Sequence, residues 1–417
     1  MTKKLAGLPT WQRNLFVLWF GVFMTGIGFS EVLPFLSLYV DTLGNFSKNQ
    51  LTFYSGLAFA ITFLMTAIVS PFWGKLADSK GRKLMLLRAS LGMAIVFLLM
   101  GLAQNIWQLV FLRALQGLFG GFVSNANAMI ATQTPKERSG YALGMLVTGV
   151  TGGQLLGPFI GGILASVVSY RVSFFITGII FLLVFTLTLT LVKEEFTPIE
   201  RGASPSRKEV FKLLPFPKLT VGLFTTTFII QTVNLSISPI VALFVRELNH
   251  GAGSTTFLAG VVAAMPGIAT MIAAPRFGRI GDRIGTHRMI MIGFVLAFIF
   301  MLPTGFVTTV WQLAIMRFMI GISDATMLPA VQTMLTKSTP REITSRIFAY
   351  NQSFQSLGAV AGPMLGTVIA SVLDYNGIFI FSAFLIVLNA ILFFIRTRFL
   401  RAGEVSVSAS KAANLPI

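Results

Sequence analysis

Apolar runs of about twenty residues recur from end to end of this chain. An α-helix needs about this length to cross a hydrocarbon core of ~30 Å. Hydrophobic residues make up 54% of its 417 residues and charged residues only 11%, whereas a soluble chain carries roughly 25% charged residues. A large soluble core does not account for so many runs. The sequence predicts an all-α membrane protein with about twelve transmembrane helices. The predicted spans lie near residues 14–40, 53–74, 84–103, 106–131, 141–168, 172–192, 219–245, 255–275, 289–309, 310–334, 347–372 and 378–395.

The basic residues are distributed unevenly between the predicted loops. The net charge is +18, and an N-terminus in the cytoplasm places nearly all loop lysines and arginines on that side. Only Lys48, Arg171 and Arg246 then lie outside. Because cytoplasmic loops of membrane proteins are enriched in Lys and Arg, we expect a multi-pass protein of the cell membrane with both termini in the cytoplasm. The charge is a topology signal and not the footprint of a nucleic-acid-binding protein.

The residues that the chain lacks narrow its chemistry. It has no cysteine, which excludes disulfides and thiolate metal sites. It also has no G-x-x-x-x-G-K-[ST] phosphate loop and no H-E-x-x-H motif. We therefore expect neither an enzyme nor a bound cofactor or metal. Any active process would draw on an ion gradient, worth ~2.3 kcal/mol per charge per 100 mV.

An internal repeat divides the chain into two similar halves. Four blocks recur at an offset of 204 or 205 residues, which chance does not easily produce. The paired blocks are NIWQLVFLRALQGL from Asn105 with TVWQLAIMRFMIGI from Thr309, GKLADSKGRK from Gly74 with GRIGDRIGTHR from Gly278, the Gly-Pro pairs at 157–158 and 362–363, and the segments around Pro34 and Pro239.

An even number of spans in each half keeps both halves in the same orientation, as in transporters built from parallel repeats. The sequence predicts a six-helix bundle in residues 1–192, a cytoplasmic linker in 193–218, a second six-helix bundle in 219–400 and a flexible tail in 401–417. Two bundles around a central site suit alternating access within one chain, so we expect a functional monomer. A channel is the alternative, although channels usually gather their symmetry from separate subunits.

Three motifs give the chain a family resemblance: GKLADSKGRK after span two, LRALQG in span four and GGQLLGPFIGG in span five. They resemble signature motifs of the major facilitator superfamily, and the third is similar to the mark of its twelve-span drug–proton antiporter branch. Within that branch the chain resembles the bacterial multidrug efflux group that includes MdtG and PmrA. The resemblance implies the major facilitator fold and drug export in exchange for protons. The same branch also exports sugars, polyamines and other metabolites.

Two acidic residues lie inside predicted spans, Glu31 in span one and Asp324 in span ten. A charge at such depth costs ~2.5–3.5 kcal/mol on insertion scales, so it usually faces a cavity or a partner. Their repeat counterparts are Ser236 and Gly120, and acids present in only one half suggest a function added to a shared scaffold. We interpret both as proton-coupling or cation-binding groups; the alternative for Glu31 is that it sets the charge of the substrate and not the shared mechanism. The alternative for Asp324 is a structural ion pair with Arg317.

Two arginines, Arg113 and Arg317, also lie well inside predicted spans. Their side chains could snorkel toward the outer surface. The resemblance implies instead that Arg113, the arginine of the span-four motif, takes part in proton transfer. Asp41 and Asp374 lie near the outer ends of their spans, and we interpret them as hydrated helix caps.

The turn between spans two and three predicts a conformational latch. Its glycine permits a tight reversal, and the family resemblance implies that its charged residues bridge helix ends while the cytoplasmic side is shut. The alternative is a loop whose charges only set topology. The predicted latch residues are Gly74, Asp78, Gly81, Arg82 and Lys83, with Asp282 and Arg283 in the second half.

Glycines recur every four residues in span five, a spacing that allows close helix contact. A proline among them would loosen the backbone ladder. The resemblance implies that this contact acts as a hinge and a seal between the halves. The predicted hinge residues are Gly153, Gly157, Pro158 and Gly161, with Gly362 and Pro363 in span eleven.

The 40 phenylalanines and a few polar residues within spans indicate a mostly apolar cavity. Such a cavity, with few directional groups and two acids, suits amphipathic cations. Interhelical hydrogen bonding is the alternative role for the polar residues. The cavity candidates are Phe35, Asn125, Asn127, Gln231, Asn234, Asn351 and Gln355.

Together these features predict a secondary active transporter that exports amphipathic, often cationic, drugs in exchange for protons by alternating access. Asp324 and Glu31 would bind proton and substrate in competition, and each ligand would bias the alternation by its differential affinity for the two states. The expected partners are these small molecules, protons and membrane lipid. A carrier of one physiological solute, such as a sugar or metabolite, is the main alternative, and a membrane sensor on a transporter scaffold is a second. Sodium in place of the proton also stays open.

Overall fold

The computed structural model describes residues 9–135, 138–194, 213–250, 253–340 and 343–413. The side chains of residues 75, 78, 139, 140, 282, 344–346 and 398–413 lie outside this description. The described backbone is helical and contains no strand. Its α-helices are α1 (Thr10–Ser30), α2 (Leu36–Asp41), α3 (Lys48–Lys80), α4 (Arg82–Gly101), α5 (Ile106–Leu118), α6 (Phe122–Gln133), α7 (Ser139–Val167), α8 (Tyr170–Leu191), α9 (Pro217–Ser236), α10 (Val241–Asn249), α11 (Thr255–Ile284), α12 (Thr286–Thr304), α13 (Val310–Ser338) and α14 (Thr344–Ala413).

Within the described residues, eleven helical segments are long and apolar enough to cross a membrane. The last of them, Ile347–Thr397, has 51 residues, and the backbone leaves the helical conformation inside it at Asp374 (φ 61°, ψ 179°). This segment therefore holds two crossings, which correspond to predicted spans eleven and twelve. The structure confirms the predicted all-α membrane class.

Equivalent local signals start equivalent helices in the two halves. The Asn105 side chain accepts a hydrogen bond from the amide of Gln108 at the start of α5 (3.0 Å). The Thr309 side chain accepts one from Gln312 at the start of α13 (3.3 Å). Both bonds satisfy an amide that has no partner within the helix. The repeated block thus carries its own helix start, which explains why its pattern is readable in the sequence.

Spans one and seven are both broken near a proline. Span one consists of α1 and α2, with Pro34 in the gap, and span seven consists of α9 and α10, with Pro239 in the gap. Proline has no amide to donate and clashes with the preceding turn. Span four is also broken, between α5 and α6, where Gly121 has φ 102°, a conformation that favours glycine. Its counterpart, α13, is continuous, so the halves differ here.

The glycines predicted as hinge residues in spans five and eleven pack inside their own halves. A Cβ added at Gly153 or Gly161 would meet the backbone of α1 or of the turn that follows it, and a Cβ at Gly362 would meet the backbone of α9. The prediction that these glycines seal one half against the other is wrong for this conformation, because their small faces are already filled by spans one and seven. The within-half contacts pair Gly153, Gly157 and Gly161 with Phe23, Ile27 and Glu31, and Gly358, Gly362 and Gly366 with Phe228, Thr232 and Ser236.

Two other helix crossings join the halves. Spans five and eight meet where a Cβ at Gly260 would contact the Cα of Gly162 and the carbonyl of Pro158. Spans two and eleven meet where a Cβ at Gly56 would contact Thr367 and the carbonyl of Pro363. Gly56 and Gly260 are 204 residues apart and are therefore repeat counterparts. The two predicted prolines thus lie at the contacts between the halves, while the four predicted hinge glycines pack within their own halves.

Within the described part of the chain, the halves are in contact near one end of the bundle, and open space lies at the other. We name the ends by the predicted topology, with Asp41 at the outer end and Gly74 at the cytoplasmic end. Near the outer end the Tyr170 and Thr256 hydroxyls lie 3.1 Å apart, and each belongs to a different half. Near the cytoplasmic end, a Cβ at Gly74 or Gly278 would meet nothing within 4 Å. The structure is therefore closed at the outer end.

The predicted linker and tail fall largely outside the described residues, which exclude 195–212 and 414–417. The first linker residue, Lys193, is held by the N-terminal half. Its carbonyl accepts a hydrogen bond from the Asn14 amide (2.7 Å), and its own amide donates to the Asn14 side-chain oxygen (3.1 Å). The last helix continues to Ala413, and the flexible tail proposed for 401–417 stays a prediction.

Candidate functional site

Asp324 lies half-buried on α13, facing span seven. Its Oδ1 accepts a hydrogen bond from the Asn234 amide on α9 (3.2 Å), so the structure brings two predicted site residues together. Arg317 lies on the same helix, yet no ion pair within 4.0 Å joins it to Asp324 among the described side chains. The Nε of Arg317 is buried and has no hydrogen-bond partner there. The alternative of a formed structural ion pair is therefore wrong for this conformation.

Glu31 lies at the break of span one, inside the N-terminal bundle. It is 1% exposed, and its Oε1 accepts a hydrogen bond from the Thr177 hydroxyl on α8 (2.5 Å). The Glu31 backbone also packs against Gly161 of span five. The structure does not place Glu31 in contact with Asp324.

Arg113 is 3% exposed and turned into the N-terminal bundle. Its Nε donates to the carbonyl of Ala58 (3.0 Å) and its Nη1 to Oε1 of Gln116 (2.6 Å). The guanidinium lies 5.6 Å from the centre of the Phe59 ring. The snorkelling alternative for Arg113 is wrong, because the head group is buried and bonded to neutral partners. Its role in proton transfer stays a prediction.

A cavity of about 270 Å³ lies between spans two and four, toward the cytoplasmic end. Asn125 forms part of its wall, and its amide donates to the carbonyl of Gly121 (2.7 Å). A smaller cavity of about 40 Å³ occupies the equivalent position in the second half. The residues around the larger cavity are Thr66, Val69, Ser70, Trp73, Gly74, Ala77, Arg82, Gly117, Gly120, Gly121, Ser124, Asn125 and Ala128.

Two of the predicted cavity residues are buried elsewhere, and these predictions are wrong for this conformation. Phe35 is fully buried and packs edge-on against Phe174 (ring centres 5.4 Å apart). Asn351 is 2% exposed and accepts a hydrogen bond from the Thr227 hydroxyl of α9 (2.8 Å). In both cases helix packing uses the side chain. The remaining candidates, Asn127, Gln231 and Gln355, are half-buried.

Sequence reasoning missed the side chains that bond to the free carbonyls at the break in span four. Arg88 Nη2 donates to the carbonyl of Gly120 (2.6 Å), and its guanidinium lies 3.8 Å from the centre of the Trp73 ring. The Trp73 indole donates to the carbonyl of Leu118 (2.9 Å). These contacts satisfy carbonyls that the broken helix leaves free. The Gly120-Gly121 pair is a break signal that could have pointed to this arrangement.

The predicted latch residues that the structure describes are bonded within the N-terminal half or exposed. Gly81 forms the turn with φ 92°. The amides of Arg82 and Lys83 donate to the two carboxylate oxygens of Glu194 (2.9 and 2.7 Å). Arg283 is exposed, and the side chains of Asp78 and Asp282 lie outside the described residues. Bridging between helix ends on a shut cytoplasmic side stays a prediction, because that end is open here.

Across the described part of the chain, no group of three or more His, Cys, Asp or Glu side chains is placed to hold a metal ion. The titratable groups of the interior are instead separate. Glu31 has a hydroxyl partner, Asp324 an amide partner, and Arg113 carbonyl and amide partners. This arrangement can exchange single protons or hold single charged groups.

Comparison with curated proteins finds relatives over nearly the whole chain. The multidrug resistance protein MdtG of Serratia proteamaculans (strain 568) is 49% identical over 384 residues, which cover 92% of this chain and 93% of the relative. The protein of the same name from Salmonella heidelberg (strain SL476) is 49% identical over 381 residues, covering 91% and 94%.

Solved structures share the fold at low sequence identity. A bacterial homologue of the human lysosomal transporter Spinster, in an inward-facing and unoccupied conformation, has a TM-score of 0.77 at 16% identity, covering 94% of this chain and 98% of that one. A mutant of the nucleoside transporter NupG has a TM-score of 0.74 at 13% identity, covering 92% and 99%.

The family model of the Major Facilitator Superfamily matches residues 18–267 and 223–415. These two matches cover both halves of the repeat. Together with the identity to the MdtG proteins, they exclude an enzyme and indicate a membrane transporter. The chain belongs to the major facilitator superfamily.

Proposed function

We propose that this protein exports amphipathic, often cationic, compounds in exchange for protons. The relatives named multidrug resistance protein support the substrate class. The observation that carries the coupling is Asp324, a half-buried acid in the middle of a predicted span with an amide partner and no ion pair among the described side chains. Such an acid can exchange a proton for a cationic group without breaking a permanent salt bridge.

Glu31 has a different part in this proposal. It is buried against span six and not on the wall of the cavity between spans two and four. Its position at the break of span one, next to Gly161 of span five, makes it a group whose protonation would act on helix packing. Asp324 is then the primary exchange site, and Glu31 couples the state of span one to it.

The test is efflux of ethidium from energised cells, comparing the parent protein with Asp324→Asn and with Asp324→Glu. Asp324→Asn should abolish gradient-driven efflux, because the amide cannot exchange a proton. Asp324→Glu keeps a carboxyl group and should retain part of the activity. A protonophore should collapse efflux by the parent.

Two outcomes would contradict the proposal. Full efflux by Asp324→Asn at equal expression would remove this residue from coupling. If the parent, at adequate expression, transports no dye in a gradient-dependent way, a carrier of one physiological solute becomes the better interpretation of the same fold.

A further inference from the structure

The outer end of the molecule holds a cluster of charged residues that crosses from one half to the other. Arg246 of span seven forms an ion pair with Asp41 of span one (2.5 Å). Lys48, at the start of α3, forms ion pairs with Glu247 (3.2 Å) and with Asp374 (2.5 Å). Each of the three pairs joins a residue of the first half to a residue of the second.

This cluster differs from the expectation for the same residues. The sequence predicts hydrated helix caps at Asp41 and Asp374, but the structure pairs both with cations of the opposite half. Lys48 and Arg246 are two of the three basic residues that the topology places outside. Two of the three outer cations thus form ion pairs between the halves.

The backbone conformation at Asp374 indicates that the surrounding residues fix its position in the cluster. Its φ of 61° is uncommon for a residue with a side chain, and such strain persists only where the surroundings fix it. The Asp374 carboxylate is the group that reaches Lys48. The next residue, Tyr375, lies under the Lys48 ammonium (4.6 Å to the ring centre) and within 3.5 Å of the Thr52 hydroxyl.

At the opposite end of the bundle, none of the described side chains forms an ion pair between the halves, and the space at Gly74 and Gly278 is open. The halves therefore have ionic contacts at the closed end alone, within the described part of the chain. Beneath these contacts, the Ser37 hydroxyl donates to the carbonyl of Pro239, and Ser37 is fully buried.

We propose that Asp41, Lys48, Arg246, Glu247 and Asp374 form the outer gate of this transporter, an ionic lock between the halves that must open before substrate can leave. The lock stabilises the outward-closed state and sets its population relative to the outward-open state. The proposal rests on alternating access in the proposed function. It does not depend on which residue carries the proton.

The chain has no cysteine, so one introduced thiol reports on one position. Ser37→Cys is nearly isosteric and lies beneath the lock. A membrane-impermeant maleimide added to whole cells should label it slowly in the parent background. Lys48→Gln removes two ion pairs, and Arg246→Gln removes one. Each substitution should raise the rate of Ser37→Cys labelling about threefold or more, and the two together about tenfold. Lys218→Gln, an exposed lysine outside the lock, should leave the rate unchanged.

A second thiol separates gate opening from unfolding. Ser124 is exposed on the wall of the cytoplasmic cavity, so Ser124→Cys should react readily in inside-out vesicles. Opening of the outer gate should slow this reaction while it speeds labelling of Ser37→Cys, because the two ends open alternately. The charge-swapped pair Asp41→Arg with Arg246→Asp should restore slow labelling of Ser37→Cys.

Labelling of Ser37→Cys at the parental rate in the Lys48→Gln, Arg246→Gln double variant would overturn the gate. Faster labelling at both Ser37→Cys and Ser124→Cys would also overturn it, since that result shows loosening of the whole bundle. The experiment needs no drug. Its failure is therefore distinct from failure of ethidium efflux, which tests the proposed substrate and coupling.

Discussion

At the scale of single residues, the interior of this protein uses neutral partners for charged groups. Glu31 is bonded to a hydroxyl, Asp324 to an amide and Arg113 to a carbonyl and an amide oxygen. An uncompensated charge is costly in a medium of low dielectric constant. In the proposed function, these groups change protonation or partner during transport.

The contact between Glu31 and Thr177 allows a direct test. Thr177→Val keeps the side-chain volume but removes the hydroxyl, which leaves the buried carboxyl group without its donor. We expect a loss of about 1–3 kcal/mol in stability, measured as a lower apparent melting temperature of the purified protein in detergent.

Thr177→Ser is the matched control and should melt near the parent, because it keeps the hydroxyl. In a Glu31→Met background, Thr177→Val should cost much less. An equal cost in both backgrounds would show that the hydroxyl acts through contacts other than Glu31.

At the scale of helices, spans one and five depend on glycine for their close approach. A Cβ at Gly153 would meet the carbonyl oxygen of Phe23 and the amide of Ile27 on α1. A backbone atom cannot swing away as a flexible side chain can. The adjacent Gly152 faces the Phe23 ring instead, where an added Cβ would lie 3.4 Å from the nearest atom.

This pair of neighbours gives a matched comparison. Gly153→Ala should destabilise the protein by about 1–3 kcal/mol, as overpacking does, whereas Gly152→Ala should change stability little. The measurement is the apparent melting temperature with the yield of monodisperse protein. Similar losses for both variants would show that helix flexibility, and not the contact with α1, requires glycine here.

At the scale of the whole molecule, two bundles meet through two glycine crossings and an ionic cluster at the outer end. The crossings near Gly260 and Gly56 are related by the repeat, so the halves meet at nearly equivalent contacts. In the ionic cluster, Asp41 and Arg246 occupy equivalent positions of the repeat, 205 residues apart, but they carry opposite charges. In the proposed function, the common scaffold supplies the motion and local substitutions such as this pair bias it.

Covalent closure of the outer end should stop transport. Asp41→Cys with Arg246→Cys replaces one ion pair with two thiols, and oxidation should cross-link them in the cysteine-free chain. We expect dye efflux to fall to background after oxidation and to return on reduction. Each single-cysteine variant, treated with the same oxidant, is the control. Undiminished efflux by the fully cross-linked protein would show that the halves need not separate at this end.

Much of this protein follows from local and periodic properties of its sequence. Apolar length predicts the spans because every crossing must match the same hydrocarbon thickness. The repeat predicts two equivalent halves, and it carries the helix-start residues Asn105 and Thr309 with it. Asp324 and Glu31 are recognisable as site candidates because a charge within an apolar run is costly wherever the helix packs.

The remaining features depend on contacts between residues far apart in the chain. By sequence, Arg88 lies near the cytoplasmic end of predicted span three, yet its side chain donates to the carbonyl of Gly120 in the break of span four. Phe35 is predicted from the sequence to line the cavity, yet neighbouring aromatic rings bury it. Asp41 and Asp374 are predicted from the sequence to be helix caps. In the structure, the opposite half lies close enough for both to form ion pairs with it. Helix periodicity identifies neither the side chain that faces a given partner nor the end at which the two halves close, because both depend on how the bundles pack.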